Sequence, residues 1–461
     1  MKKLAGGLFT LVSVSVFFLL LSTPRTVVLQ GQFANGQIDT QDSVFARVVS
    51  LLYAPEAYRP SSLKNISATQ SNNGKKDIEK QPQLQNPPSI AKALYVTGWS
   101  AGSRDKMTSL INIIESRGLN AVVIDIKDYS GYVSYAMDVP EVKASGAEGE
   151  IKILKPNELI KRLHDKNIYV IGRVTVFQDP ILAKAHPEWA LQNKTTGKLW
   201  LDNHKLAWLD PAGKPTWDYI VSIAKDALGR GFDEINFDYI RFASDGKLGE
   251  ISFPFWQKTR TNADLTRTGA ETKREVIKNF FAYLRQQMPD AKLSADIFGL
   301  ATVDTWDDLG IGQVLEDAYQ YFDYVCPMVY PSHYAAGTLD YKNPADHPYE
   351  IIKYSMDKAL ERLKNYESGI MNNGTTTIVT TTTTTTTTHN SSFSIRNSKL
   401  RPWLQVFDLG AVYTPAMVQK QIQATEDAFV SSTASSTALG AGQYYGGWLL
   451  WDPANNYKSF R

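Results

Sequence analysis

The sequence of 461 residues is poor in the residues on which several common kinds of site depend. It has one cysteine, Cys326, which excludes an intramolecular disulfide and a cysteine-based zinc site. Its six histidines show neither H-E-x-x-H nor another paired spacing, so no catalytic metal is indicated and no cofactor is expected. Lysine and arginine number 49 against 47 acidic residues, and this near balance makes nucleic acid a poor candidate partner.

The chain begins with a long uncharged run. Lys2 and Lys3 precede residues 4–21, LAGGLFTLVSVSVFFLLL. Lysines before an apolar run are typical of a secretory signal or an N-terminal membrane anchor. The run is long enough to span a bilayer, and no small-x-small cleavage site follows it closely. Residues 1–25 therefore favour an uncleaved anchor over a cleaved signal. We expect an exported body, tethered at the outer face of the cytoplasmic membrane or otherwise secreted.

Two other segments lack the pattern of a packed core. Residues 26–89 hold one helical patch, residues 42–53, and then a stretch rich in Ser, Asn, Gln, Lys and Pro. This composition predicts a flexible linker. Residues 372–394 are dominated by threonine and predict a disordered insertion without catalytic meaning, with a glycosylated stalk as the alternative.

Residues 90–461 alternate short apolar runs with amphipathic helices. Strict alternation requires parallel strands with right-handed crossovers. Eight such units predict a (β/α)₈ barrel with long βα loops. We expect the protein to be a monomer. The alternative is an open doubly wound sheet, but TGWSAGS after the first strand has neither G-x-G-x-x-G nor a Walker lysine. The predicted strands are residues 92–100, 120–128, 168–177, 231–242, 292–299, 323–334, 401–408 and 446–453.

Several of these strands carry a carboxylate near the C-terminal end. GFDEINFDYIRF, residues 231–242, has too many large apolar residues for one wet face, yet it contains Asp238. The C-terminal ends of barrel strands converge on one mouth, where a buried carboxylate is costly unless it has a role or a partner. The alternative is that Asp–Arg and Asp–Lys pairs only satisfy one another beneath the loops.

Two carboxylates beside aromatic faces suit glycoside hydrolysis, in which one stays protonated and the other ionised. Asp238, as nucleophile or base, and Asp296, as general acid, are the candidate catalytic pair; alternatively, they form a structural pair that shares a proton or Arg241. The 10 Trp, 23 Tyr and 19 Phe supply faces on which sugars could stack. The candidate substrate contacts are Trp99, Asp125, Lys127, Arg173, Asn236, Arg241, Tyr330, His333, Asp408, Trp448 and Trp451.

The motifs VVIDIKD, IGRVTVFQDP, LAWLDP, GFDEINFDYIRF, SADIFG, PMVYPSHY and GGWLLWDP occur in this order over residues 93–453. With them the chain resembles a bacterial family of glycosyl hydrolase-like domains of unknown function, placed near the α-amylase-like barrels. In those barrels the nucleophile ends strand 4 and the acid/base ends strand 5. The resemblance implies these places for Asp238 and Asp296, although the acid there is usually a glutamate.

A weaker likeness to family 18 chitinases lies in FDEINFDYIRF, which is similar to their F-D-G-I-D-I-D-W-E. Ile240 stands where the chitinase proton-donating glutamate belongs, and Pro331 replaces the strand-6 aspartate. The chitinase acid therefore has no counterpart in this chain.

These patterns predict a glycoside hydrolase that acts on an extracellular or cell-envelope polysaccharide. Two other classes stay open. The missing glutamate favours a non-catalytic glycan-binding barrel, and a carbohydrate deacetylase or other metal hydrolase would require a bound metal.

Overall fold

The computed structural model describes residues 76–256, 271–305, 308–372, 398–430 and 441–460. Its main sheet is parallel and closed, because β1 pairs with both β2 and β8, and β7 pairs with both β6 and β8. The predicted (β/α)₈ barrel is therefore confirmed. The strands are β1 (Ala91–Val96), β2 (Ala121–Lys127), β3 (Tyr169–Thr175), β4 (Glu234–Asp238), β5 (Lys292–Phe298), β6 (Tyr324–Met328), β7 (Trp403–Gln405) and β8 (Gly447–Trp451).

Helices follow the strands around the barrel. They are α1 (Gly98–Gly102), α2 (Arg104–Ser116), α3 (Pro140–Ser145), α4 (Pro156–His164), α5 (Pro180–Ala185), α6 (Lys214–Arg230), α7 (Lys273–Gln287), α8 (Leu315–Tyr321), α9 (Pro348–Asn372) and α10 (Pro415–Val430). The strand Lys399–Leu400 extends the β6 edge before β7. Gln192–Asn193 and Ile251–Ser252 pair as a small antiparallel ribbon between two βα loops.

Barrel closure depends on a glycine at the start of β8. Gly447 has φ +101°, and a Cβ at this position would lie 1.9 Å from the carbonyl oxygen of Ala91. A side chain would therefore collide with the backbone of β1 where the two strands pair. Only glycine accepts both the left-handed backbone and this approach.

The apolar core has two layers. One layer fills the barrel interior and includes Tyr95, Val123, Ile171, Trp403 and Leu449. The other lies between the strands and the surrounding helices. The strands are buried on both faces, as expected for a parallel sheet, and this explains why their sequences are nearly continuous apolar runs.

A buried ion pair lies at the N-terminal end of the barrel, where Glu234 begins β4. Arg401 donates to both carboxylate oxygens of Glu234, and both side chains are fully buried. Ser294 and Tyr169 also donate to this carboxylate. We call Glu234 and Arg401 the floor pair. Its hydrogen bonds satisfy charges that would otherwise be costly inside the barrel.

Residues 76–89, which the sequence predicted as the end of a flexible linker, contact the barrel at the start of α4 and just before β4. The Asp77 carboxylate accepts from the peptide N–H groups of Asn157 and Glu158 at the start of α4. Gln83 donates to the carbonyl of Phe232, and the N–H of Leu84 donates to Asp233. These bonds satisfy polar groups at the barrel's edge, so this part of the predicted linker packs on the barrel.

The predicted anchor in residues 1–25 and most of the threonine-rich segment 372–394 lie outside the described residues. In the described part of the chain, no helix is long and apolar enough to cross a membrane.

Candidate active site

Arg173 lies at the centre of a group of carboxylates inside the barrel mouth. Its Nη1 is 2.6 Å from Oδ1 of Asp125, its Nη2 contacts Oδ2 of Asp238, and its Nε lies 3.8 Å from Oδ2 of Asp296. All four side chains are at most 5% exposed. We call these residues, which come from β2, β3, β4 and β5, the Arg173 cluster.

Strand register explains this convergence. Asp125 on β2 is paired with Arg173 on β3, and Asp238, the last residue of β4, is paired with Thr175 at the end of β3. Inward-facing residues near the C-terminal ends of neighbouring parallel strands therefore meet at one level. The structure thus brings together the two residues predicted as catalytic, Asp238 and Asp296, and two of the predicted substrate contacts.

Asp296 is held on one side by neutral hydrogen-bond donors. Nδ2 of Asn236 and Nε1 of Trp403 donate to its Oδ1 over 2.8 and 2.7 Å. Burial, and then the nearby charge of Asp238, raise the pKa of Asp296 to about 8 against the opposing effect of Arg173. At neutral pH this carboxyl is therefore mainly protonated. Because Oδ1 already accepts two hydrogen bonds, Oδ2 is the oxygen suited to carry the proton.

Asp238 has a different environment. It accepts from Arg173 and, over 2.6 Å, from the peptide N–H of Tyr239. The guanidinium and the peptide N–H thus each hold one oxygen of this carboxylate. Tyr239 has φ +54°, which is uncommon for an aromatic residue, and this turn ends β4 directly after Asp238.

Asp125 holds Arg173 from the other side. The hydroxyl of Tyr95 donates to Asp125 over 2.5 Å. Burial raises the pKa of Asp125, while the Arg173 charge opposes that shift. The contacts of Asp125 therefore position the guanidinium that lies between the other two carboxylates.

Aromatic rings line the mouth on the side of β7, β8 and β1. Trp451 stacks on Tyr95 with ring centroids 3.9 Å apart, and it lies edge-on to Trp403 at 5.3 Å. The Arg173 guanidinium is 5.0 Å from the Trp451 ring. Trp451 is partly exposed, so one predicted aromatic platform does lie beside the carboxylates.

Asn236 lies beneath the cluster and does not reach the mouth. Its Nδ2 donates to both Asp296 and Ser294, and Ser294 in turn donates to Glu234 of the floor pair over 2.5 Å. Asn236 is fully buried. The structure therefore places this predicted substrate contact as a residue that orients Asp296.

Three other predicted substrate contacts lie away from the cluster. Lys127 is fully buried and binds Asp179, because an irregularity in the pairing of β2 with β3 turns it from the line of Asp125. Trp448 packs in the layer between strands and helices. Asp408 is exposed, and its carboxylate accepts from the N–H of Tyr413 in its own loop.

The other predicted contacts follow strand ends. Trp99 lies in α1, after β1, with the ammonium of Lys152 5.9 Å from its ring centroid. Tyr330 and His333 follow β6, where their rings meet edge-to-face at 5.0 Å beside Phe407. Burial lowers the pKa of His333 to about 3, so its imidazole is neutral, and its buried Nε2 has no hydrogen-bond partner among the described residues. This nitrogen could bind a sugar hydroxyl.

The sequence pattern does not single out Tyr95, Trp403 or Ser294 as site residues. Tyr95 and Trp403 lie among the apolar residues of their strands, and only the polar side chain of Ser294, two positions before Asp296, could have indicated a polar face. In the described part of the chain, no group of three or more His, Cys, Asp and Glu side chains could hold a metal ion.

A closed (β/α)₈ barrel with buried carboxylates at its mouth is an architecture that enzymes of many classes share. Residues 93–457 match the family described as "Putative glycosyl hydrolase domain". The chain belongs to this family, which confirms the prediction from the sequence motifs. No curated protein matches the chain.

Several solved structures are similar to this chain. A hypothetical protein from Ruminiclostridium thermocellum ATCC 27405 is 39% identical, with 47% of this chain and 98% of that chain covered and a TM-score of 0.39. The PgaB (BpsB) glycoside hydrolase domain from Bordetella bronchiseptica is 13% identical, with coverages of 79% and 95% and a TM-score of 0.49. The α-galactosidase TtGalA from Thermus thermophilus is 12% identical, with coverages of 82% and 60% and a TM-score of 0.41.

Proposed function

We propose that this protein hydrolyses glycosidic bonds in an extracellular or cell-envelope polysaccharide. Asp296 acts as the general acid, and Asp238 acts as the nucleophile or as the base that activates water. The observation that carries the proposal is the contrast between two neighbouring carboxyls: Asp296 has a pKa raised to about 8, whereas Asp238 accepts from Arg173 and a peptide N–H. Different environments for two carboxyls are what acid/base cleavage of a glycoside requires.

The roles follow from the contacts. The proton on Oδ2 of Asp296 would pass to the glycosidic oxygen as the bond to the leaving sugar breaks. Asp238 would attack the anomeric carbon as the nucleophile, or would take a proton from the water molecule that attacks it. Arg173 hydrogen-bonds Asp238 and lies 3.8 Å from Asp296, so its positive charge offsets that of Asp238 and the charge that Asp296 gains when it gives up its proton. Trp99, Arg241, Tyr330, His333 and Trp451 are the proposed substrate contacts that lie at strand ends.

Burial of the cluster favours a second candidate function. Asp296 is only 1% exposed, and Arg173 already hydrogen-bonds Asp125 and Asp238 and lies 3.8 Å from Asp296. A site saturated by its own ion pairs is what a non-catalytic glycan-binding barrel would retain. Under this alternative, sugars would bind above the cluster and remain intact.

The proposed location is outside the cytoplasm, with residues 4–21 as the tether or secretion signal. The support is the Lys2–Lys3 pair before an uncharged apolar run. Protease accessibility of the barrel in intact cells tests this location, since a cytoplasmic barrel would stay protected until the cells are lysed.

The function is tested by incubating the purified full-length chain with a panel of polysaccharides and measuring newly formed reducing ends. The proposal expects release from at least one polymer. Binding of a polymer with no release over long incubation would contradict hydrolysis and support the glycan-binding alternative.

A further inference from the structure

Arg241 lies at the barrel mouth within a box of aromatic rings. It follows Asp238 by three residues, directly after β4. Its guanidinium carbon is 4.8 Å from the ring centroids of both Trp208 and Phe298, and 5.3 Å from that of Tyr239. Phe298 ends β5 and belongs to the interior apolar layer. Arg241 is therefore on the β4–β5 side of the mouth, beside the Arg173 cluster.

This arginine differs from the other buried arginines of the described residues, Arg173 and Arg401. Each of those has a carboxylate oxygen within 4 Å. Arg241 is 3% exposed, and no Asp or Glu oxygen of the described residues lies within 4 Å of it. Within the same ranges its guanidinium donates only through Nη1, to the carbonyl of Phe242 and to the hydroxyl of Ser244.

A buried cation with no carboxylate in direct contact is costly, and the three aromatic faces and the more distant charge of Asp245 offset only part of that cost. The remaining donors of the planar guanidinium form a fork that matches the oxygens of a carboxylate, sulfate or phosphate. We propose that Arg241 binds an anionic substituent on the glycan, so that the substrate is an acidic polysaccharide. This inference rests on the proposed glycan-directed function of the same mouth.

Two acidic residues lie nearby, and their state matters for an anion. Burial and then the charge of Asp202 raise the pKa of Asp245, while the charge of Arg241 opposes that shift. Asp202 is engaged by the indole N–H of Trp208 over 2.9 Å and by two peptide N–H groups. Asp202 is therefore bound to donors of its own and does not take up the remaining donors of Arg241.

The test measures binding of the full-length chain to matched acidic and neutral polymers at low salt. The pairs are polygalacturonate with its carboxyl-reduced form, dextran sulfate with dextran, and phosphomannan with mannan, so that the three oxyanions are told apart. We expect one acidic polymer to bind at least about tenfold more tightly than its neutral partner. Arg241→Gln should abolish that difference, Arg241→Lys should keep part of it, and Arg104→Gln, an exposed control, should keep all of it.

Equal binding of every acidic polymer and its neutral partner, or no binding of any acidic polymer, would overturn the proposal. So would an acidic preference that survives in Arg241→Gln. Thermal unfolding of each variant shows that it is folded, and Arg241→Lys carries the test if Arg241→Gln is not. Reducing-end release is measured separately. Binding that depends on Arg241 without hydrolysis would therefore disprove the hydrolase and leave the anion site standing.

Discussion

The indole N–H of Trp403 donates to Oδ1 of Asp296 over 2.7 Å, although the two residues are 107 positions apart. Asp296 is on β5 and Trp403 on β7, so the bond crosses the barrel interior past β6. The same oxygen accepts from Asn236. This pair of neutral donors orients the Asp296 carboxyl and leaves its other oxygen for the proton.

Trp403→Phe removes one donor from Asp296 and keeps an aromatic ring. The lost hydrogen bond stabilised the charged carboxylate, so the pKa of Asp296 should rise further. We expect the basic limb of the pH dependence of kcat/KM to move up by about one pH unit, equivalent to about 1.4 kcal/mol. Trp448→Phe, in the layer between strands and helices, is the matched control. A basic limb that stays in place in Trp403→Phe would show that the indole does not act on the acid.

Stability should depend on pH through Asp296. Its pKa is raised to about 8 in the folded protein, against about 4 in an unfolded chain. Between these values the folded state holds a proton that the unfolded state has released, so the free energy of unfolding falls as pH rises through this window and levels off above it. Urea unfolding at several pH values should show a shallower fall in Asp296→Asn. Asp408→Asn should keep the wild-type slope, and equal slopes in all three proteins would contradict the assigned shift.

Removing only one member of the floor pair should destabilise the protein more than removing the charges of both. Arg401→Met leaves Glu234 buried without its countercharge, and we expect a loss of about 3–5 kcal/mol in the free energy of unfolding. Adding Glu234→Gln removes the buried charge and keeps an acceptor for Ser294 and Tyr169, so the double variant should recover part of the loss. A double variant no more stable than Arg401→Met in urea unfolding would argue against this view of the pair.

Asp77 should stabilise the barrel from the segment that precedes it. Its carboxylate accepts from two N–H groups at the start of α4, the part normally played by an N-cap residue. Asp77→Ala should lower the free energy of unfolding by about 1 kcal/mol. Glu79→Ala, an exposed neighbour, should change it little. Equal effects of the two variants would indicate that the capping bonds add nothing.

The sequence was sufficient to predict the architecture and the meeting of Asp238 with Asp296. The reason is that β/α alternation dictates parallel strands, and parallel strands place their C-terminal residues at one mouth. It was less informative about which strand residues face inward. Trp448 and Trp451 are three positions apart, so they point to opposite faces of β8, but both faces of a barrel strand are apolar and composition does not tell them apart.

Two further differences between the prediction and the structure come from one irregularity in strand pairing and from one long-range contact. Lys127 has the same parity as Asp125, yet the irregularity between β2 and β3 turns it toward Asp179. The bond from Trp403 to Asp296 depends on the tertiary closeness of two strands that are not sequence neighbours. No periodicity in the sequence encodes such a contact.

The most direct test of the central claim compares wild type, Asp238→Asn, Asp296→Asn and Asp408→Asn on a polymer that the wild type cleaves. We predict that both mouth variants remain folded and lose reducing-end release by at least about a hundredfold, whereas Asp408→Asn cleaves normally. Wild-type turnover in a folded Asp238→Asn or Asp296→Asn protein would contradict the account.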